Sequence, residues 1–120
     1  MTIYYKKGEQ DQRPWGEWET IDVGDKYIVK RITVHPNSKL SLQKHEHRNE
    51  HWIITEGEAI VTLNAETKIV KENEHVFIPV QTIHRVENKG PNNLTFIEIQ
   101  TGDILDEKDI IRLEDIYNRI

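Results

Sequence analysis

The sequence contains no cysteine, which excludes disulfide bonds, thiolate metal ligands and thiol nucleophiles. It also contains no apolar run longer than three residues, so neither a membrane-spanning helix nor the hydrophobic part of a secretion signal is predicted. Positive charge is scarce: 16 Lys and Arg stand against 21 Asp and Glu, a net charge of −5, and no basic stripe could neutralise the phosphates of a nucleic acid. These absences predict a cytoplasmic protein that uses neither membrane nor nucleic acid and relies on His, carboxylate, amide and hydroxyl groups.

What the sequence does contain is short alternating or β-branched runs separated by turn residues. Its 120 residues suit a single domain, residues 1–120. Gly24-Asp25 is a hairpin signal, because both residue types tolerate the backbone angles of tight turns. The predicted strands are Trp18 to Val23, Tyr27 to Val34, Leu40 to His45, Glu50 to Thr55, Ala59 to Leu63, Lys68 to Val70, His75 to Pro79, His84 to Glu87 and Thr95 to Gln100. Closely spaced strands without intervening helices predict an all-β antiparallel sandwich or barrel.

The two ends of the chain read differently from its centre. Residues 1–12 show no periodicity, and we expect a loose arm or an edge strand there. Residues 106–120 predict a short amphipathic helix with acidic residues near its N-terminus. Its apolar residues recur at helical spacing: Ile110, Leu113, Tyr117 and Ile120.

Five of the six histidines lie in two short stretches, one of which contains His45, His47 and His51. Because alternate residues of a strand share a face, Gln43 and His45 project together, and Glu50 can meet His45 inside a cavity. Imidazole, carboxylate and amide oxygen ligands suit a divalent first-row metal with open positions. In an alternative ligand set, His45 and His47 share a face and act together with Glu50 or His51, and Gln43 is not a ligand.

The spacing of these residues resembles the first motif of the cupin superfamily, G-x5-H-x-H-x3,4-E-x6-G. Counted back from Gly57, Glu50 and His45 match, whereas Gln43 occupies the first histidine position and Asn37 the opening glycine position. The second cupin motif, G-x5-P-x-G-x2-H-x3-N, is matched at Pro79, His84 and Asn88, with Asn73 and Gln81 at its glycine positions. Asparagine partly replaces glycine because it visits positive φ. The resemblance implies a cupin-type double-stranded β-helix, a jelly-roll barrel.

Within that superfamily, the segment from Leu40 to Trp52 resembles the signature of the type II phosphomannose isomerases. Further agreement comes from Arg13-Pro14-Trp15-Gly16, from the stretch between Ile78 and Asn88, and from two stretches near the end, Ile99 to Asp103 and Arg112 to Tyr117. The resemblance implies interconversion of mannose 6-phosphate and fructose 6-phosphate in mannose and polysaccharide-precursor metabolism. It also implies a metal held by Gln43, His45, Glu50 and His84. Zinc is the first choice, with manganese, cobalt, iron or nickel as alternatives.

The same resemblance suggests roles for further residues, because an aldose–ketose isomerase needs a base and a phosphate anchor. His47 and Glu98 are the candidate bases, and Arg85 is a third catalytic candidate. Substrate binding is expected of Lys44, Arg48, Arg85 and Trp52, with the cations serving the phosphate group. His51 and His75 are expected to face away from the cavity.

Two other functions remain open from the sequence, since one fold hosts many activities. A metal-binding cupin without catalysis would act as a sugar-binding or accessory module in polysaccharide synthesis. An iron oxygenase is the third possibility, although Gln43 is an unusual ligand for that class. In this family the cupin usually follows a guanylyltransferase domain, and this chain contains no glycine-rich nucleotide loop. The small size also predicts a two-fold homodimer. The resemblance implies a sugar phosphate as the small-molecule partner.

Overall fold

Strands make up the secondary structure of the protein in the computed structural model, which describes residues 2–119. Their alternating burial follows the period of two expected for sheets with one face packed on a core. In chain order they are β1 Thr2–Ile3, β2 Gln10–Arg13, β3 Gly16–Val23, β4 Tyr27–Val34, β5 Ser38–Lys39, β6 Leu42–Lys44, β7 Arg48–Glu56, β8 Ala59–Leu63, β9 Glu66–Val70, β10 His75–Ile78, β11 His84–Asn88, β12 Leu94–Gly102, β13 Ile104–Leu105 and β14 Ile111–Glu114. The all-β prediction is confirmed.

Two six-stranded sheets enclose the core. The first has the order β10-β7-β12-β4-β3-β2, and the second has the order β14-β6-β11-β8-β9 with β5 paired to β11. All pairs within these two sheets are antiparallel, and a separate parallel pair joins β1 to β13. The predicted Gly24-Asp25 hairpin connects β3 to β4. Residues 2–119 contain no helix of the length and apolarity needed to cross a membrane.

The predicted C-terminal helix is wrong for the part of the chain that the structure describes; its last residue, Ile120, lies outside that part. Ile111–Glu114 forms β14 instead, and β14 pairs with β6 at the edge of the second sheet. Ile111 and Leu113 are exposed, whereas Tyr117 packs against the core. The helical spacing of the apolar residues therefore did not define one buried face, and pairing with a sheet edge outweighed local helical preference.

The three motif positions that lack glycine have the backbone geometry of glycine. Asn37, Asn73 and Gln81 adopt φ of 57°, 70° and 62°. These are left-handed conformations that asparagine tolerates better than most residues. The tight turns of the barrel are thus retained without glycine, and the strands that carry the metal-ligand candidates keep their register.

Candidate metal centre

Strand pairing brings the predicted metal ligands together from three strands. Gln43 of β6 lies directly opposite His84 of β11, and His45 follows immediately after β6. Glu50 comes from β7 of the other sheet, where alternate residues are buried. Since opposed residues of antiparallel strands share a face, these four side chains project into the space between the two sheets.

His45, Glu50 and His84 form one buried cluster of ligand atoms. One donor atom from each residue lies within 4.8 Å of the other two, and the three side chains are only 2–3% exposed. Gln43, which is 7% exposed, donates from Nε2 to Ser41 Oγ over 3.1 Å and leaves its carbonyl oxygen for another contact. We call His45, Glu50 and His84 the His/Glu/His cluster.

Backbone carbonyls set the tautomers of both histidines. Nδ1 of His45 lies 2.5 Å from the carbonyl oxygen of Asp109, and Nδ1 of His84 lies 2.8 Å from that of Thr82. A carbonyl oxygen only accepts, so Nδ1 carries the hydrogen in each ring and Nε2 keeps its lone pair. Burial lowers the pKa of His84, which favours the neutral ring that a metal requires.

The donor set fits a divalent metal of the first transition row. Nε2 of His45 lies 3.0 Å from Oε2 of Glu50, so two electron-pair donors approach one another closely. Two neutral imidazoles and one carboxylate match the nitrogen and oxygen ligands of zinc and its neighbours. Burial opposes ionisation of Glu50, yet the charge of the adjacent Arg48 guanidinium holds its pKa well below the usual range. Glu50 is therefore a carboxylate, as a metal ligand must be.

Arg48 is committed to the cluster and is not a free substrate cation. Its Nε donates to Glu50 Oε2 over 2.9 Å, its Nη1 lies 3.2 Å from the Tyr5 hydroxyl, and the side chain is 7% exposed. Nη2 also lies 3.2 Å from His45 Nε2. A buried guanidinium beside a buried carboxylate is stable only as a pair, so Arg48 and Glu50 depend on each other.

Glu98 is a buried carboxylic acid beside the cluster. Trp52 Nε1 bridges the two carboxyl groups, donating to Glu50 Oε1 over 2.8 Å and to Glu98 Oε1 over 3.2 Å. Gln100 donates to the other oxygen of Glu98 over 2.7 Å. Burial, then the charge of Glu50, raises the pKa of Glu98 to about 8. Such a group exchanges a proton near neutral pH, as an acid–base catalyst does.

Glu50 and His84 of the cluster line a cavity with a volume of about 50 Å³, enough for a metal ion and a few water molecules. Buried Lys30 lines its inner wall and pairs with Glu107 over 2.7 Å. The more exposed lining side chains form its mouth, and four of them are arginines: Arg13, Arg85, Arg112 and Arg119. The mouth is thus cationic although the chain as a whole is acidic.

Other predicted site residues lie apart from the cluster. His47 is 44% exposed with Nδ1 3.3 Å from Asp103 Oδ1, and it does not line the cavity. Lys44 points outward near Glu46, at 3.8 Å. Because β6 ends at Lys44, the chain turns before His47, and the alternation that would put His47 beside His45 is broken. Arg85 does line the mouth, where it donates to Glu114 and to the Leu40 carbonyl.

Asp109 was not identified from the sequence, although it fixes the loop that carries His45. Its two carboxylate oxygens accept from the backbone N–H groups of Glu46 and His47, each over 2.9 Å. Its carbonyl oxygen orients the His45 ring. The acidic residues near position 106 suggested a helix start, and Asp109 instead caps a neighbouring turn.

Replacing Asp109 by alanine is expected to weaken zinc binding about ten- to hundredfold, because the support of the His45 loop is lost. The free energy of unfolding should fall by about 1–3 kcal/mol, since two backbone donors lose a charged acceptor. Zinc titration and urea unfolding measure the two effects. Asp106→Ala is the matched control, because among residues 2–119 its side chain accepts only from Lys108 N. Unchanged zinc affinity in Asp109→Ala would contradict the role of the loop.

The fold and site define the class of protein. The structure aligns with a double-stranded β-helix domain from Klebsiella pneumoniae at a TM-score of 0.70 and 16% identity, covering 92% of this chain and 84% of that one. It also aligns with the cupin domain of Cnp3 from Schizosaccharomyces pombe at a TM-score of 0.67 and 16% identity, covering 72% and 64%. The fold is a cupin-type double-stranded β-helix, as predicted.

The family follows from sequence similarity. The family model described as mannose-6-phosphate isomerase C-terminal matches residues 4–115, and the chain belongs to this family. It is 48% identical over 108 residues to mannose-1-phosphate guanylyltransferase ManC of Salmonella typhimurium, covering 90% of this chain and 22% of the relative. It is 48% identical over 107 residues to alginate biosynthesis protein AlgA of Pseudomonas aeruginosa, covering 89% and 22%. The chain thus spans about a fifth of these relatives.

These comparisons correct the function expected from the sequence. Interconversion of mannose 6-phosphate and fructose 6-phosphate was expected for this chain, and that prediction is wrong. Relatives are named as mannose-1-phosphate guanylyltransferases, and the chain matches only their C-terminal cupin region. The coarser statement holds: the relatives carry enzyme names, and this chain corresponds to their isomerase-like domain.

Proposed function

We propose that this chain is a metal-binding cupin domain that binds a phosphorylated sugar at its metal centre and acts as a sugar-binding or accessory module in polysaccharide-precursor synthesis. The observation that carries the proposal is a cavity lined by two members of the His/Glu/His cluster, Glu50 and His84, whose mouth is lined by arginines. The first feature suits a divalent metal, and the second suits an anionic ligand.

His45, Glu50 and His84 would hold the metal, and the carbonyl oxygen of Gln43 would be a fourth ligand. Zinc is our first choice, because two neutral imidazoles and a carboxylate are its ordinary oxygen and nitrogen ligands. Manganese, cobalt, iron and nickel accept the same donor types. A bound metal would supply a Lewis acid for the oxygens of a sugar. Trp52 keeps the neighbouring carboxyl groups in place through its indole N–H.

A phosphorylated sugar is the ligand class that the mouth of the cavity and the names of the relatives support. The cavity takes an ion and a few waters, so the sugar would lie mainly at the cationic mouth. Relatives are named for mannose 1-phosphate and for alginate biosynthesis, which associates the family with phosphorylated sugars and polysaccharides. A role of Glu98 in proton transfer and of Arg85 in substrate contact remains a prediction, as does the homodimer.

Equilibrium dialysis of labelled mannose 1-phosphate and mannose 6-phosphate against the protein tests this proposal. The protein is first stripped with a chelator and then reloaded with zinc, manganese or cobalt. We expect one or both sugar phosphates to bind a metal-loaded form at least about tenfold more tightly than the stripped form. Equal binding with and without metal, or no binding by protein that holds one equivalent of metal, would contradict the proposal.

A further inference from the structure

Arg112 lies in one cross-strand row with two residues of the metal centre. It stands opposite Gln43, and Gln43 stands opposite His84, so β14, β6 and β11 each contribute one residue to the row. Opposed residues of antiparallel strands project from the same face. Arg112 accordingly lines the cavity, while its neighbours Ile111 and Leu113 are 40% and 45% exposed on the other face.

Six cationic side chains line the cavity, and five of them already have carboxylate partners. Arg112 has no carboxylate partner within the described residues 2–119. The five pairs are Arg13 with Asp11, Lys30 with Glu107, Arg48 with Glu50, Arg85 with Glu114, and Arg119 with Asp115. The uncompensated charge at the mouth is therefore concentrated on one guanidinium.

Asp115, a carboxylate whose charge acts on Arg112, cannot serve as its partner because the oxygens of Asp115 are already engaged. Asp115 Oδ2 accepts from Arg119 Nε over 2.7 Å and from Arg119 N over 2.8 Å. Asp115 Oδ1 accepts from Arg119 Nη2 over 3.0 Å and from Tyr117 N over 3.3 Å. Four donors fill the lone pairs of this carboxylate. The charge of Arg119 also repels Arg112, which adds to the effect of burial in lowering the pKa of Arg112.

The guanidinium of Arg112 has a buried donor without an acceptor. Its Nε is shielded from solvent and makes no hydrogen bond to any residue between 2 and 119. An unsatisfied buried donor is costly, and proteins retain few of them without a functional reason. Arginine offers a planar fork of donors that matches two oxygens of a phosphate group, so an oxyanion in the mouth would satisfy Arg112.

We propose that Arg112 binds the phosphate group of a sugar phosphate whose sugar oxygens approach the metal centre. This inference rests on the proposed function and adds the residue that recognises the phosphate. Arg48, Lys44 and Arg85 were the phosphate candidates from sequence, but Arg48 and Arg85 are paired and Lys44 points away. Arg112 distinguishes phosphorylated from unphosphorylated sugars, because its fork has no acceptor until the phosphate arrives.

Titration calorimetry on the zinc-loaded full chain tests the assignment. The probes are mannose 1-phosphate, mannose 6-phosphate, inorganic phosphate and unphosphorylated mannose. The variants are Arg112→Gln, which removes the charge, and Arg112→Lys, which keeps the charge but loses the fork. Arg31→Gln is the control, because Arg31 is an exposed arginine of the outer face and does not line the cavity. Zinc stoichiometry and melting temperature are measured for every variant.

We expect Arg112→Gln to weaken binding of the sugar phosphate about ten- to hundredfold with one zinc still bound. Arg112→Lys should lose less, and Arg31→Gln should stay within about twofold of the original chain. The original chain could prefer phosphorylated sugars to mannose while Arg112→Gln binds them equally well. This result would overturn the inference about Arg112 but not the proposed function. If the original zinc-loaded chain bound sugar phosphates no better than mannose, both the inference and the proposed function would fail. Inorganic phosphate bound with the same dependence on Arg112 would support the anion contact.

Discussion

Replacing Glu50 by alanine is expected to abolish metal binding and to lower the free energy of unfolding by about 3–5 kcal/mol. Two effects combine, because Glu50 belongs to the His/Glu/His cluster and is also the partner of the buried Arg48. Truncation would leave the guanidinium of Arg48 without its charge partner in the core. Urea unfolding and zinc titration, performed on the same preparation, measure the two losses.

Two further variants separate loss of the metal from loss of stability. His84→Ala removes one neutral ligand and no charge. It should weaken zinc binding more than about a hundredfold, which is more than the loss expected when a residue that only supports a ligand is replaced. Glu58→Ala removes an exposed carboxylate and should change the free energy of unfolding by less than about 0.5 kcal/mol. If Glu50→Ala or His84→Ala bound zinc as tightly as the original chain, the assignment of these residues as ligands would be contradicted.

Replacing Glu98 by glutamine should change how stability depends on pH in the metal-free protein. The native state raises the pKa of Glu98 from 4.5 to about 8, so between these values the native chain holds a proton that the unfolded chain has released. The stabilisation from Glu98 is complete below about pH 4.5 and is lost as the pH rises through about 8. Glu98→Gln cannot lose a proton and should gain stability relative to the original chain across this window. The gain is at most about 1.4 kcal/mol per pH unit.

Glu107→Gln is the matched control for the pH experiment. Burial opposes ionisation of Glu107, but the charges of Lys30 and Arg48 lower its pKa to about 2. Its stabilisation is present above pH 4.5 and is lost as the pH falls towards 2, so the sign and the window are opposite to those of Glu98. Urea unfolding in chelator between about pH 2.5 and about pH 9 covers both windows. A difference between Glu98→Gln and the original chain that stays constant from pH 4.5 to 8 would contradict a protonated Glu98.

Much of the barrel could be predicted from local sequence signals. Strict alternation in β7 predicted that Glu50 and Trp52 face inward and His51 outward, and the burial pattern confirms this. The glycine positions held by Asn37, Asn73 and Gln81 were predicted by motif spacing, and they adopt positive φ. Such signals are local: a period of two and a turn conformation are properties of a few adjacent residues.

What could not be predicted depends on contacts between distant parts of the chain. Arg48 is adjacent to a turn and resembles a surface cation, and only the closed barrel buries it against Glu50 and Tyr5. The pairing of β14 with β6 brings Arg112 and Asp109 to the metal centre from more than sixty positions away. The apolar spacing around Ile110 is compatible with a helix, and the free edge of β6 decided the outcome.

The measurement that tests the metal centre most directly is an anomalous difference map at the zinc absorption edge, from crystals grown with one equivalent of zinc. We predict one strong peak at about 2.0–2.2 Å from Nε2 of His45, Nε2 of His84 and a carboxylate oxygen of Glu50. The peak should be absent in crystals of His84→Ala. A fully occupied zinc site elsewhere on the chain, together with no peak at the His/Glu/His cluster, would contradict the assignment of the site.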